Sequence, residues 1–145
     1  MKRIFRDNCI DSARREKEIL SKFNAKLSKY IVNYYSSEEG TGGSEYVYLI
    51  LDLCEDSLKN FVSSYTLQHL KKFLPQILKN ILNGLADLHS GQEAILHRDL
   101  KPSNVLSDSQ GNFLIADFGI SEILKNETNT YESKEIGRAS CRERV

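Results

Sequence analysis

Between Ile95 and Leu106 the chain reads ILHRDLKPSNVL, placing a histidine, an arginine, an aspartate, a lysine and an asparagine between apolar flanks. Such groups sit in half-buried surroundings either as a satisfied polar turn or because they carry out chemistry. The chemistry these types allow is phosphoryl transfer, in which positioning and charge neutralisation do most of the work. It needs a carboxylate near the attacking hydroxyl, cations on the phosphates and hard oxygen ligands for Mg²⁺, which takes one or two side chains plus phosphates and water. Asp99 offers the base, Lys101 the cation, and Asn104 and Asp117 the two oxygen ligands. Asp99 and Asn104 share one loop, and Asp117 follows a strand turn that returns it alongside. Gly119 supplies backbone freedom for a movable loop.

Several elements must hold those groups in place. DSARREKEILSKF predicts a helix capped by Asp11 or Ser12, with Glu16, Ile19, Leu20 and Phe23 on one face. YIVNYYSS and EYVYLILDL are rich in β-branched and aromatic residues and flank the turn EEGTGGS, which predicts an antiparallel strand pair. DSLKNFVSS reads as a short capped helix. The strongest helix is LPQILKNILNGLADLHS, with Pro75 in its first turn and a stripe of Leu74, Ile77, Leu78, Ile81, Leu82, Leu85 and Leu88. NVLSDSQGNFLIADFG predicts two short strands around a turn at Ser109 to Asn112. This order of elements gives the α+β class. No internal repeat or low-complexity linker is present.

Bulk properties set the outer bounds. The 145 residues suit one domain, and 20 Lys+Arg balance 20 Asp+Glu. The basic residues are scattered, so this segment is expected to bind neither nucleic acid nor an anionic membrane directly. Apolar runs such as YVYLILDL are too short to cross a bilayer, and MKRIFRDNC lacks the apolar core of a signal peptide. Cys9, Cys54 and Cys141 are odd in number and share no metal-ligand spacing, so a reduced, cytosol-facing location is expected. EIGRASCRERV, residues 135–145, has no periodicity and resembles a translated sequencing-library adaptor. Native sequence is therefore expected to stop near Lys134.

HRDLKPSN followed by ADFG resembles the catalytic loop and metal-binding motif of protein kinases, in order and in separation. The resemblance covers most of residues 2–134. It implies a two-lobe fold, with 1–53 as part of the N-lobe and 54–134 as part of the C-lobe. It also implies a serine/threonine kinase that uses ATP and Mg²⁺ on a protein substrate. Asp99 is then the catalytic base, Lys101 the phosphate-contacting lysine of the serine/threonine type, and Asn104 and Asp117 the Mg²⁺ ligands. Glu16 matches the helix glutamate that pairs with a strand lysine, here Lys2 in MKRIF. LILDLCEDSL resembles the strand and hinge that grip adenine. Leu51 becomes the gatekeeper, the Asp52 and Cys54 backbones face the adenine edge, Ser57 lies near the ribose and Leu106 lies beneath the base. His97 and Phe118 are structural by the same resemblance. Arg98 pairs with a phosphorylated activation loop, for which Thr128, Thr130, Tyr131 and Ser133 offer hydroxyls.

A narrower resemblance joins KRI…REKEIL, YVYLILDLCEDSLKNFV and ILNGLADLHS…ILHRDLKPSNVL to the inositol-requiring kinase/endoribonucleases. These are unfolded-protein sensors of the endoplasmic reticulum membrane, with a cytosolic kinase that autophosphorylates and dimerises to activate an attached ribonuclease. The Gly-rich phosphate loop, the APE segment and the large C-lobe helices of the family find no match. The segment alone is therefore expected to be inactive, with an uncovered apolar face on residues 74–88. The alternative is a nucleotide-binding pseudokinase scaffold, against which the intact Asp99, Asn104 and Asp117 stand.

Overall fold

A computed structural model describes residues 2–24, 28–39, 46–90 and 93–125, with side chains described within 11–22, 28–38, 48–90 and 93–124. The side chains of Lys2, Cys9 and Phe23 lie outside the described residues. So do Gly40 to Ser44, Thr128, Thr130, Tyr131, Ser133, Cys141 and the 135–145 tail.

The first half of the chain forms β1 (Lys2–Phe5), α1 (Arg6–Asn24), β2 (Tyr34–Glu39) and β3 (Tyr46–Leu51). The three strands make an antiparallel sheet in the order β1-β3-β2. Its register sets Lys2 opposite Leu49 and Tyr34 opposite Leu51. The expected strand pair around the Gly/Ser turn is thus present. Helix α1 turns Ala13, Glu16, Ile19 and Leu20 inward, the spacing of one buried helical face. It does not begin at Asp11 or Ser12 as the capping pattern suggests, but several residues earlier. Ser12 lies inside the helix, where its hydroxyl is taken by a distant carbonyl rather than by a cap.

The second half contains β4 (Asp56–Ser57), α2 (Leu58–Ser64), α3 (Leu67–His89), β5 (Glu93–Leu96), a 3₁₀ turn (Pro102–Asn104), β6 (Val105–Ser107), β7 (Phe113–Ile115) and β8 (Glu122–Lys125). Ser57 caps α2, its side chain accepting the Asn60 N–H. Asp108 closes the β6–β7 hairpin by accepting the Gln110 and Asn112 N–H groups at 2.9 and 2.8 Å. Strands β4, β6 and β7 form a second antiparallel sheet, and β5 pairs with β8. Helix α3 begins a full two turns before the predicted start, after Thr66, so Pro75 is interior rather than in the first turn. Proline removes one helical hydrogen bond, and the helix tolerates it here because Pro75 and Lys71 are both exposed to water.

The main core joins the two halves. Ala13, Ile19 and Leu20 of α1 meet Leu49 of β3, Leu88 of α3, Ile95 of β5, Ile115 of β7 and the fully buried Phe118. The Ile115 N–H donates to Tyr30 O at 2.8 Å and its carbonyl accepts the Val32 N–H at 3.0 Å. A smaller cluster of Leu58, Ile77, Val105 and Phe113 sits beneath α2. The α3 stripe is split by this packing. Ile77 and Leu88 are buried, whereas Leu74, Leu78 and Leu82 remain 49%, 49% and 63% exposed, as expected of an uncovered apolar face. No helix among the described residues is long and apolar enough to cross a membrane.

Candidate active site

The loop that follows β5 is folded by its own side chains. Asn104 is buried, and its Nδ2 donates to the Asp99 carbonyl at 2.9 Å and to Asp99 Oδ2 at 3.0 Å. Lys101 Nζ reaches the same Oδ2 at 2.7 Å. One carboxylate oxygen of Asp99 is therefore held by two donors while Oδ1 faces neither of them. The two bonds from Nδ2 also fix the amide orientation, leaving Oδ1 of Asn104 as its hard-oxygen donor.

A second set of bonds ties this loop to Asp117. The Ala116 N–H donates to Asn104 O at 2.9 Å. The Asp99 N–H donates to His97 Nδ1 at 3.3 Å, so the ring proton sits on Nε2, which donates to Ala116 O at 2.9 Å. Ser121, also buried, donates its hydroxyl to His97 O at 3.0 Å. His97 thus bridges to both flanks of the Asp117-Phe118-Gly119 turn, and its ring packs on Phe118 with centroids 4.9 Å apart. Burial holds the imidazole below its ordinary pKa, against the opposing pull of the Ala116 bond and the Asp117 and Asp99 carboxylates. A neutral, buried ring suits the structural role expected of it.

Two non-glycine residues with left-handed backbones among the described residues stand beside this bridge. Arg98 has φ 64° and Asp117 φ 67°, values that non-glycine residues hold only where surrounding bonds impose them. Gly119 does not adopt such a backbone, so the freedom expected of it is not what the turn uses. It is buried, and an added Cβ there would collide with Ser12 Oγ. Arg98 forms an ion pair with Glu122 of β8 at 2.6 Å.

The residues expected to grip adenine lie on a different edge of the main core. Leu51, Cys54 and Leu106 are half-buried against it, and the β4–β6 register sets Ser57 opposite Leu106. The Asp52 N–H donates to Asn33 O at 3.0 Å. The Asp52 carboxylate is turned to β2, accepting the Asn33 N–H at 2.9 Å and the Tyr35 hydroxyl at 2.6 Å. Burial, helped by the Asp52 and Asp108 carboxylates, pushes the Cys54 thiol up, so it is a poor nucleophile. A groove of about 290 Å³ is lined by Asp52 and Cys54 together with Ser28, Lys29, Asn33 and Asp108, and it does not include Asp99 or Asp117. Glu16 is 1% exposed on α1, and Lys2 lies on β1, with only its backbone described.

The structure thus gathers Asp99, Lys101, Asn104 and the approach to Asp117 into one hydrogen-bonded unit, with Leu51, Cys54, Ser57 and Leu106 along a neighbouring edge. Sequence reasoning assigned Ser12 a capping role it does not play and missed Gly84, Ser121 and Glu122, because each acts through partners far away in the chain. Only the glycine within the helical run LNGLADL carried a signal, since a helix-interior glycine asks for a close neighbour.

Residues 1–138 match the Protein kinase domain family, and the chain belongs to that family. It is 34% identical over 125 residues to Serine/threonine-protein kinase/endoribonuclease IRE2 of Homo sapiens, covering 83% of this chain and 13% of that protein. It is 31% identical over 139 residues to Serine/threonine-protein kinase/endoribonuclease IRE1 of Hypocrea jecorina, covering 90% and 10%. To Serine/threonine-protein kinase pakH of Dictyostelium discoideum it is 33% identical over 124 residues, covering 85% and 23%. The chain therefore spans no more than 23% of the length of these relatives.

Proposed function

We propose that the protein containing this segment transfers the γ-phosphate of ATP to serine or threonine hydroxyls of proteins. The observation that carries this reading is the bonded unit of Asp99, Lys101 and Asn104, tied through Ala116 to Asp117. Asn104 Oδ1 and the Asp117 carboxylate have the donor chemistry to hold Mg²⁺, which neutralises phosphate charge when bound. Asp99 accepts the proton of the attacking hydroxyl as its oxygen bonds to the γ-phosphorus and the bond to the ADP oxygen breaks. Lys101, 2.7 Å from Asp99, places its charge where the transferring phosphoryl group passes. Adenine rests on the apolar edge formed by Leu51 and Leu106, with Ser57 beside the ribose and the Asp52 and Cys54 backbones at its rim. Glu16 holds Lys2 toward the α- and β-phosphates.

The narrower assignment, a cytosolic kinase module of an endoplasmic reticulum stress sensor coupled to a ribonuclease, is supported by the names of two relatives. Identity to those is 34% and 31%, against 33% to pakH, so overall similarity favours the kinase without choosing the subfamily. Homodimerisation belongs to that narrower assignment. The exposed Leu74, Leu78 and Leu82 favour activity as a property of the longer protein rather than of this segment.

The test is phosphate transfer from labelled ATP by the full-length protein. Mg²⁺-dependent labelling of serine or threonine, abolished in Asp117→Asn, is the expected result. Nucleotide binding without transfer by the wild type would replace the kinase with the pseudokinase scaffold.

A further inference from the structure

We propose that Ser12 is a positioning residue, latching helix α1 to the Asp117–Gly119 turn and so setting Asp117 relative to Glu16. The inference rests on the kinase reading of the site. Ser12 Oγ donates to the Gly119 carbonyl at 2.8 Å, and Arg15 Nη1 approaches the same oxygen at 3.5 Å. Ser12 lies one helical turn before Glu16, so both project from neighbouring positions on one face. Gly119 follows Asp117 by two residues, and between them Phe118 is fully buried in the core that α1 helps to build. The latch therefore joins the element carrying the glutamate to the turn carrying the candidate metal ligand.

The glycine supports the same conclusion independently. Its backbone is not left-handed, so its lack of a side chain is a matter of space. An added Cβ would collide with Ser12 Oγ, whereas its next neighbours, Asp117 Oδ1 at 3.5 Å and Ser12 Cβ at 3.7 Å, are ordinary contacts. The serine hydroxyl and the missing Cβ are two halves of one contact. Removing the hydroxyl makes room for the Cβ.

A double-mutant cycle in the full-length protein tests this, using Ser12→Ala, Gly119→Ala and the pair. The readouts are MgATP affinity against Mg²⁺ concentration by calorimetry, Tm and phosphate transfer. Ser12→Ala is expected to raise the Mg²⁺ needed for half-maximal nucleotide binding severalfold, with about fivefold as the ceiling if the whole of one hydrogen bond is coupled to the metal site. Its Tm should hardly change, because alanine is the better helix former, and Ser12→Thr, which keeps the hydroxyl, should restore the Mg²⁺ dependence. Gly119→Ala should lower both Tm and MgATP affinity in the Ser12 background and do little in the Ser12→Ala background. An additive cycle, or an unchanged Mg²⁺ dependence in Ser12→Ala, would overturn the latch. A wild type that binds MgATP but transfers no phosphate would remove the kinase reading, and the binding and Tm cycles would still decide for or against the latch.

Discussion

Asp99→Asn in the full-length protein is expected to lower kcat by about 10³-fold while leaving KM for MgATP within about twofold, the pattern of a lost general base. Asparagine preserves the shape of the side chain and an oxygen for Lys101. The bond from Asn104 Nδ2 to the Asp99 carbonyl, at 2.9 Å, involves the backbone and survives the change. The loop should therefore keep its fold and its metal-binding oxygens. What it loses is a carboxylate able to take a proton from the attacking hydroxyl. Steady-state kinetics over a range of ATP and peptide concentrations check this. A variant whose KM rises with kcat intact would show that Asp99 only helps to bind substrate.

The second large effect is on stability. Gly84→Val should destabilise the protein by about 3 kcal/mol, measured as a drop in denaturation midpoint at constant m-value. A glycine inside a helix ordinarily weakens it by about 1 kcal/mol relative to alanine, so a larger residue would normally help. At Gly84 the sign reverses because α3 approaches its neighbours closely. A Cβ there would lie 2.8 Å from Ile115 Cδ1 and 3.0 Å from Tyr30 O, and the latter is backbone that accepts the Ile115 N–H. Ile115 ends β7, two residues before Asp117, so displacement of this strand reaches the candidate metal site. Gly84→Ala should fall between glycine and valine. A stabilised Gly84→Ala would mean that α3 does not press on β7 as described.

The parts of this molecule that the sequence disclosed are those set by short-range rules. The β6–β7 hairpin follows from SDSQGN between apolar runs, with Asp108 accepting the turn N–H groups. Ser57 before LKNF is a helix cap in sequence and in structure. The polar loop was readable because Asp99, Lys101 and Asn104 bond to one another within a few residues. The helix starts depart from short-range rules for the opposite reason. Ser12 is a good cap by type, but a carbonyl more than a hundred residues downstream takes its hydroxyl, and α1 runs on past it. Pro75 resembles a first-turn residue, yet α3 extends ahead of it because its exposed side tolerates one missing bond. The short strands β4, β5 and β8 are too brief to carry a period and form only through their partners. The hold that His97 and Ser121 keep on either flank of the Asp117 turn is likewise tertiary.

Whether Asn104 and Asp117 hold the metal of a phosphoryl-transfer site is decided by a crystal structure of the full-length protein with Mg²⁺ and a non-hydrolysable ATP analogue. The expected result is a metal about 2.1 Å from both Asn104 Oδ1 and an Asp117 oxygen, bridged to the phosphates. The γ-phosphate should lie beside Lys101, with Asp99 Oδ1 facing the open position for a hydroxyl. A metal or nucleotide bound elsewhere, with Asn104 and Asp117 uncoordinated, would contradict it.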